Sequence, residues 1–433
     1  MNKKSLKFVA DYIRATQNEI SIDESVYELA GVTPESLGFV PRPAKVISRF
    51  VKQPVLFKTS MMVLKRVWCV GGASLFFFYE MLMFYKYSRR LSGLKSERCQ
   101  SGDYAVAFSS RASDVLISQV LAFEPRCWIT FPWVAIKNSN SMEETKKIDV
   151  FSLVDGKDLL NAFVCAVTAS REIASRKDIQ QWALQSYTAF RWFAVRIAFE
   201  KLDINKIIIA EHYDRWAVLA DSVVSRRKRS LGLENASVPK LVLVQHGSLS
   251  GLSAVEQLSN SVLPFELRYK LKSVTALFVY NEASQKIFER EILSSSCVRQ
   301  GVTFTHFSPA INLTSFPSTS AVQVLFVGHP ICEGLHIQLL NSLVQTYDVA
   351  FYYKPHPTAG TADSVRRVAW RIIEGRETFP EVDFLIAYPS TLVIEYAASG
   401  ISAILHPLDL SPAFSSGLLE SIKSKLDALG CKK

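Results

Sequence analysis

The sequence predicts an α/β protein of two doubly wound domains in tandem, preceded by a basic, mainly helical segment. Three observations carry that expectation. After Ser101, short apolar runs alternate with longer amphipathic stretches, the pattern of βα units on a parallel sheet. A loop-rich stretch at 301–320, holding Pro309, Pro317 and several Ser and Thr residues, interrupts the alternation, which then starts afresh. Polar motifs follow directly on the apolar runs, and open α/β sheets bind ligands outside the carboxyl ends of their strands.

Residues 1–100 read as a helical N-terminal extension with a Pro-containing loop at 38–43. In the domain at 101–315, runs at 104–108, 127–131, 149–153, 206–210, 240–244 and 276–280 give about six strands. An amphipathic helix is expected at 112–121 and a long helical region at 159–202. In the domain at 316–433, strands are expected at 322–327, 349–353, 383–387 and 402–405, with helices at 335–347, 363–373 and 391–399. There is no internal sequence repeat, but the architecture repeats.

A length of 433 residues suits two domains. With 48% apolar and 21% charged residues, the chain folds and is not disordered. A net charge of +10 favours an anionic partner: nucleic acid, a membrane surface or a charged substrate. Many basic residues lie before Ser101; a second run, 226–229, reads as a solvated loop or helix end. The chain has no aromatic/basic RNA-binding module and no zinc-finger spacing, which argues against nucleic acid. Seven scattered cysteines without a CxxC argue against both a disulfide framework and a zinc site, and fit a reducing compartment. The first residues are polar and amphipathic, without the apolar core of a signal peptide.

Residues 67–85, VWCVGGASLFFFYEMLMFY, are the most apolar stretch, set between Lys65-Arg66 and Lys86, Arg89 and Arg90. A span needs about 20 apolar residues, so the length is borderline. Glu80 would cost about 2–3 kcal/mol at a bilayer centre, and Gly71-Gly72 weakens a continuous helix. A helix lying in the interface of an anionic membrane is favoured over a span; a buried helix is the alternative. The expected location is cytoplasmic, peripheral on the inner face of the cytoplasmic membrane.

Five expected strands end in chemistry-bearing motifs: Glu211-His212-Tyr213-Asp214-Arg215, Gln245-His246-Gly247-Ser248, Gly328-His329-Pro330, Lys354-Pro355-His356-Pro357 and Tyr388-Pro389-Ser390-Thr391. Lys354 and His356, on a loop stiffened by Pro355 and Pro357, suit a phosphate leaving group. Ser390 and Thr391 open a helix whose free N–H groups and dipole favour an anion. Glu395, one turn on, can accept from a ribose or complete the cap. His329 joins this donor-binding set. His246 is the first candidate for general base, since an imidazole titrates near neutrality, with Glu211 and Asp214 next. Gln245, Gly247 and Ser248 are the expected acceptor-binding residues, and a salt bridge between Asp214 and Arg215 is the bland alternative for that strand end. No DxD-like pair sits at a strand end, and no GxGxxG or Walker A sequence is present, so neither a metal nor a resident cofactor is expected.

These residues carry a family resemblance. His356-Pro357, followed some 30 residues later by Ser390-Thr391, resembles the HP and S motifs of bacterial sialyltransferases, polysialyltransferases and capsule Kdo transferases. The resemblance implies the GT-B fold, two Rossmann-like domains facing across a cleft, and a phosphate of a CMP-activated donor held by His356 and by Ser390 or Thr391. It covers roughly residues 200–410. The chain lacks the acidic Asp/Glu-Asp/Glu-Gly tripeptide that supplies the base in such sialyltransferases. The teichoic-acid polyglycerolphosphate and polyribitolphosphate transferases are similar too, through His246-Gly247, Lys354-Pro355-His356-Pro357 and Ser390-Thr391…Glu395-Tyr396. The expected function is inverting, metal-independent transfer of a sialic-acid-like nonulosonate or Kdo from a CMP donor to a surface polysaccharide or glycolipid. The alternatives are a CDP-alditol phosphotransferase, a nucleoside-diphosphate-sugar transferase and a non-catalytic glycan-binding scaffold. The expected partners are a cytidine-type donor, a glycan or lipid-linked acceptor and an anionic membrane, without nucleic acid.

Overall fold

The computed structural model describes residues 3–31, 54–92, 102–118, 125, 127–134, 146–231, 238–249, 267–309, 311–317, 320–357, 361–375 and 377–433. The loop expected at 38–43 and the end of the helix expected at 112–121 lie outside them.

The first elements are helices α1 (Lys3–Ala30), α2 (Pro54–Val67) and α3 (Ala73–Ser92), the last two joined by a π-helical turn at Trp68–Gly72. The first sheet comprises β1 (Gly102–Val106), β2 (Cys127–Thr130), β3 (Lys146–Asp149), β4 (Ile204–Ile209), β5 (Lys240–Val244), β6 (Val274–Val279) and β7 (Thr303–His306). Its order is β3-β2-β1-β4-β5-β6-β7, and every pairing is parallel. The helices connecting these strands are α4 (Ser110–Ser118), α5 (Gly156–Ser175), α6 (Ala189–Lys201), α7 (Arg215–Leu231), α8 (Glu282–Ile287) and α9 (Ser295–Arg299). Central strands such as β4 and β5 end in unbroken apolar runs, 207–209 and 241–244, because both faces of the sheet are covered there. One core joins the sheet to α1 and α3: Tyr12, Phe77 and Phe84 pack in it with Ile207, Phe190 and Phe151. The helical N-terminal segment is thus a packed layer on the first sheet.

After β8 (Leu313–Thr314) the second sheet comprises β9 (Val322–Val327), β10 (Val349–Lys354), β11 (Arg371–Ile372), β13 (Phe384–Ala387) and β14 (Ser402–Leu405), in the order β11-β10-β9-β13-β14, again parallel. β12 (Phe379–Pro380) pairs with β8. Helices α10 (Glu333–Leu343), α11 (Asp363–Arg366), α12 (Thr391–Ala398) and α13 (Ser416–Ala428) complete this half. Its strands have cores of their own on both faces, around Phe326, Tyr353 and Trp370 on one and Leu325, Tyr352 and Tyr396 on the other.

The chain is therefore a mixed α/β protein with two parallel sheets that share a plan. Each starts at a central strand, adds two strands outward, then returns to the other side of the first, so strand order reverses between β1 and β4 and between β9 and β13. Four expectations on local structure are corrected. Residues 150–153 are a 3-10 turn, because Asp149 ends the strand and accepts the N–H of Phe151. The region 159–202 is broken by 3-10 turns over Gln180–Thr188. The helix expected at 363–373 stops at Arg366, and Arg371 pairs with Tyr352 as an edge strand instead. The loop-rich stretch 301–320 contains β7, which extends the first sheet.

Candidate functional site

Ligands of open α/β sheets gather where strand order reverses, outside the carboxyl ends of the two diverging strands. Both reversal points carry the polar motifs.

At the first, the turn after β4 meets the turn after β1. The Phe108 N–H supports the carboxyl of Glu211, which is buried against Asp214 and keeps Oε1 without a hydrogen-bond partner. Burial, then the neighbouring Asp214 charge, raises Glu211 well above the usual carboxyl range. Burial also lifts Asp214, to about 6, with Glu19 adding to it. Asp214 caps α7, accepting the N–H groups of Trp216 (2.6 Å) and Ala217 (3.1 Å) on Oδ1. The expected Asp214–Arg215 salt bridge is replaced by one with Glu19 of α1. The Arg215 guanidinium is buried and chelated by that carboxylate, with Nε to Oε1 at 2.7 Å, and also donates to the Gln185 carbonyl at 3.0 Å and to Thr188. Neither carboxyl of the acidic pair is therefore a free base.

His246 follows β5 at half exposure, over buried His212. The rings lie 4.3 Å apart, and Nε2 of His212 accepts the backbone N–H of His246 at 3.0 Å. Gln245 stands elsewhere than expected for an acceptor ligand. It is fully buried; its amide donates to Gly247 O (2.8 Å) and Ser284 Oγ (3.1 Å) and accepts from Tyr280 N (2.9 Å), so it ties the turn together.

At the second reversal point, the turn after β9 meets the turn after β13. His329 lies against Tyr388 (ring centroids 5.5 Å) and against His356 from the end of β10 (4.9 Å). Burial, then the adjacent His356, pushes His329 down to about 3, so it is neutral. Its Nδ1 accepts the N–H of Ile331 at 3.2 Å, which puts the ring proton on Nε2 as a donor. Gly328 is required here: a Cβ would overlap the phenol of Tyr353. Pro357 is exposed on the His356 turn.

Ser390 occupies the N-cap position of α12 in extended backbone, but its side chain makes no capping bond. Its Oγ is buried without a hydrogen-bond partner. Such a donor beside the first N–H groups of a helix matches an anionic oxygen. Glu395 lies on the same helix, near enough to Lys354 to favour its charge.

Lys354 departs from expectation. It is the last residue of β10, and the two-residue period of a strand puts it on the face of Tyr352. There its ammonium donates to the carbonyls of Gly375 (3.0 Å) and Thr378 (2.8 Å), and burial, partly offset by Glu395, lowers it to about 8. It braces the 375–379 segment.

A hydrogen bond joins the two reversal points: the Ser248 N–H donates to Thr391 Oγ1 at 2.8 Å, and Gly247 lies beside that hydroxyl. This pairing across 143 residues, like the strand orders, has no local sequence signal. The motifs could be read; their convergence could not.

No family model matches the chain, and no curated protein matches it. Among solved structures, the S. aureus MnaA–UDP co-structure aligns over 70% of this chain and 79% of its own at 12% identity and a TM-score of 0.34, too slight a likeness to place the chain in a family.

Proposed function

We propose that the protein is an inverting glycosyltransferase of the GT-B type that uses a nucleotide-activated sugar, with a CMP-linked nonulosonate or Kdo as the favoured donor and a surface polysaccharide or glycolipid as acceptor. The observation that carries this reading is the partnerless buried hydroxyl of Ser390 at the N-terminus of α12, directly after the strand that diverges from β9 where the strand order reverses. A leaving phosphate gives that hydroxyl an acceptor. His329 Nε2–H, the His356 ring and the free N–H groups of α12 supply further donors, so developing charge is held without a divalent cation.

His246 is the proposed base, because it is the half-exposed imidazole at the first reversal point while Glu211 and Asp214 are bound to each other and to the α7 cap. It takes the proton of an acceptor hydroxyl. The acceptor oxygen bonds to the anomeric carbon as the bond from that carbon to the donor phosphate breaks, and CMP leaves with the electron pair. Gly247 and Ser248, at the junction with Thr391, line the acceptor's approach.

Titration calorimetry with CMP, CDP and UDP tests the cradle. The expected order is cytidine nucleotides ahead of UDP, with Ser390→Ala weakening CMP. Equal, unchanged binding of all three by wild type and variant contradicts it. Transfer is expected to proceed without added Mg2+ or Mn2+; an absolute requirement for either overturns the cation-free cradle. A CDP-alditol phosphotransferase would show itself by turning over CDP-glycerol alone.

The same reading puts the protein on an anionic membrane. Among the described residues, one helix, Val55–Leu91, is long and apolar enough to cross a bilayer. Trp68, Ala73, Phe77, Glu80, Phe84 and Ser88 form its buried stripe, and Glu80 pairs there with Arg191 at 2.6 Å. The acid that counts against lipid contact therefore points inward. Val67, Val70, Leu75, Phe78, Tyr79 and Leu82 are exposed on the outer side, with Arg66, Lys86 and Arg89 at the flanks. Co-sedimentation with vesicles containing anionic lipid, lost in Val70→Asp/Leu75→Asp, is the expected result; unchanged co-sedimentation of that variant contradicts it.

A further inference from the structure

Behind the His329 turn, three side chains from separate parts of the sequence meet in the second half's core. Cys332 stands at the N-cap of α10, His336 lies one turn along it, and His406 follows β14. An i, i+4 spacing puts Cys332 and His336 on one helix face. All three are buried, and one ligand atom from each lies within 4.8 Å of the others. The edges of a tetrahedral zinc site built from Zn–N of about 2.0 Å and Zn–S of about 2.3 Å are about 3.3–3.5 Å. His336 now turns Nδ1 to Cys332 Sγ (4.0 Å) and Nε2 to His406 Nε2 (2.8 Å), so metal binding requires its ring to turn until one nitrogen faces both.

Two further features suit a metal. His406 Nδ1 donates to the carbonyl of Pro407 at 2.8 Å, which fixes its tautomer and aims the Nε2 lone pair at His336, 2.8 Å away. That outer contact to a backbone carbonyl is the usual way a ligating imidazole is oriented. Tyr353, whose ring stands 6.2 Å from His336, has a buried hydroxyl without a hydrogen-bond partner. Three protein ligands leave a fourth position for water.

We propose that Cys332, His336 and His406 form a structural site for a zinc-class divalent cation. The sequence argued against zinc because the cysteines show no CxxC; this set is assembled instead from one helix turn and a strand end 70 residues away. Cys332 ionises on binding, so one proton is released per metal. The thiol now donates to the carbonyl of His329 at 3.4 Å, so the site lies directly under the turn that carries the donor-side imidazole and would stiffen it.

The full-length protein, purified without chelator and dialysed against Zn2+, tests this by metal analysis and X-ray absorption. The expected result is one zinc per chain, with one sulfur and two imidazole nitrogens in its shell. Cobalt substitution should give a thiolate-to-cobalt charge-transfer band that Cys332→Ser removes. Cys332→Ser and His406→Asn should each weaken Zn2+ by more than the about 10–100-fold that loss of an outer partner costs. Wild-type protein that holds well under one equivalent, or a bound zinc with no sulfur neighbour, overturns the site and leaves a hydrogen-bonded histidine pair. The wild-type absorption spectrum decides this even if the variants do not fold.

Discussion

At the first sheet's reversal point the polar groups are carboxyls and imidazoles, Glu211, Asp214, His212 and His246. At the second sheet's they are imidazoles and a hydroxyl at a helix N-terminus, His329, His356 and Ser390. The two places share a topology, and each keeps a buried oxygen without a hydrogen-bond partner, Glu211 Oε1 on the first and Ser390 Oγ on the second, but the rest of their bonding differs. On the first, most polar atoms are already held within the fold: Arg215 by Glu19, Asp214 by the α7 cap, Gln245 by Gly247, Ser284 and Tyr280. On the second, Ser390 Oγ has no partner and its helix keeps its first N–H groups for a ligand. The difference teaches that a polar residue at a strand end is informative only once its partners are known. It also divides the proposed labour, with proton removal on the first side and anion binding on the second.

Single substitutions can break that division. The largest effect is expected at His246. Loss of a general base costs about 10²–10⁴-fold, so His246→Ala should lower kcat by that range with donor KM little changed, while His356→Ala should act mainly on donor KM. If neither variant alters transfer, both motifs are structural and the protein is a scaffold. Next is Arg215→Ala, which takes a buried guanidinium away from half-buried Glu19 and should cost on the order of 3 kcal/mol in denaturant unfolding. A loss below about 1 kcal/mol would show that the first rim is not held as described.

Ser390→Ala should weaken donor binding by about 1.5–3 kcal/mol, the range for hydrogen bonds to charged groups, without changing stability, because the hydroxyl has no partner to lose. Lys354→Met sharpens the contrast: its ammonium is bound to Gly375 and Thr378, so stability should fall while CMP affinity holds. A selective loss of CMP affinity would return Lys354 to the phosphate.

The smallest effect concerns pH. Asp214 rises from 3.8 to about 6 in the fold, so it takes up protons on folding between those values. The stability it adds is complete below about 3.8 and is lost as pH rises through about 6. His329, lowered from 6.5 to about 3, acts in the opposite direction, favouring the fold above 6.5 and losing that contribution as pH falls. The pair of wild type and Asp214→Asn reads the first effect together with the part of the Glu211 shift that Asp214 causes, since Asn keeps the cap but not the charge. The wild type's thermal advantage should shrink from about pH 4 to pH 7; a flat difference contradicts the raised carboxyl.

Much of the fold was legible because parallel strands buried on both faces must be continuous apolar runs, as at 207–210, 241–244 and 324–327. The turns that end them were legible too. Strand order was not, since nothing local says that β4 returns beside β1 or β13 beside β9. Side-chain direction at a strand's last residue was also hidden: Lys354 and His356 are two positions apart, yet one braces the core and the other stands at half exposure. Long-range pairs such as Arg215 with Glu19 and His336 with His406 leave no spacing to read. Glu80 illustrates the cost of that blindness, counting against lipid contact until Arg191 was seen to hold it inside.

The most direct test is donor turnover across a panel of CMP-Neu5Ac, CMP-Kdo, CDP-glycerol and UDP-sugars, with release of the nucleotide followed for wild type and His246→Ala. Release of CMP from a CMP-sugar by the wild type, dependent on His246 and absent with UDP-sugars, is the predicted result. Turnover of a UDP-sugar alone, or no nucleotide release from any donor in the presence of glycan and lipid-linked acceptors, would contradict it.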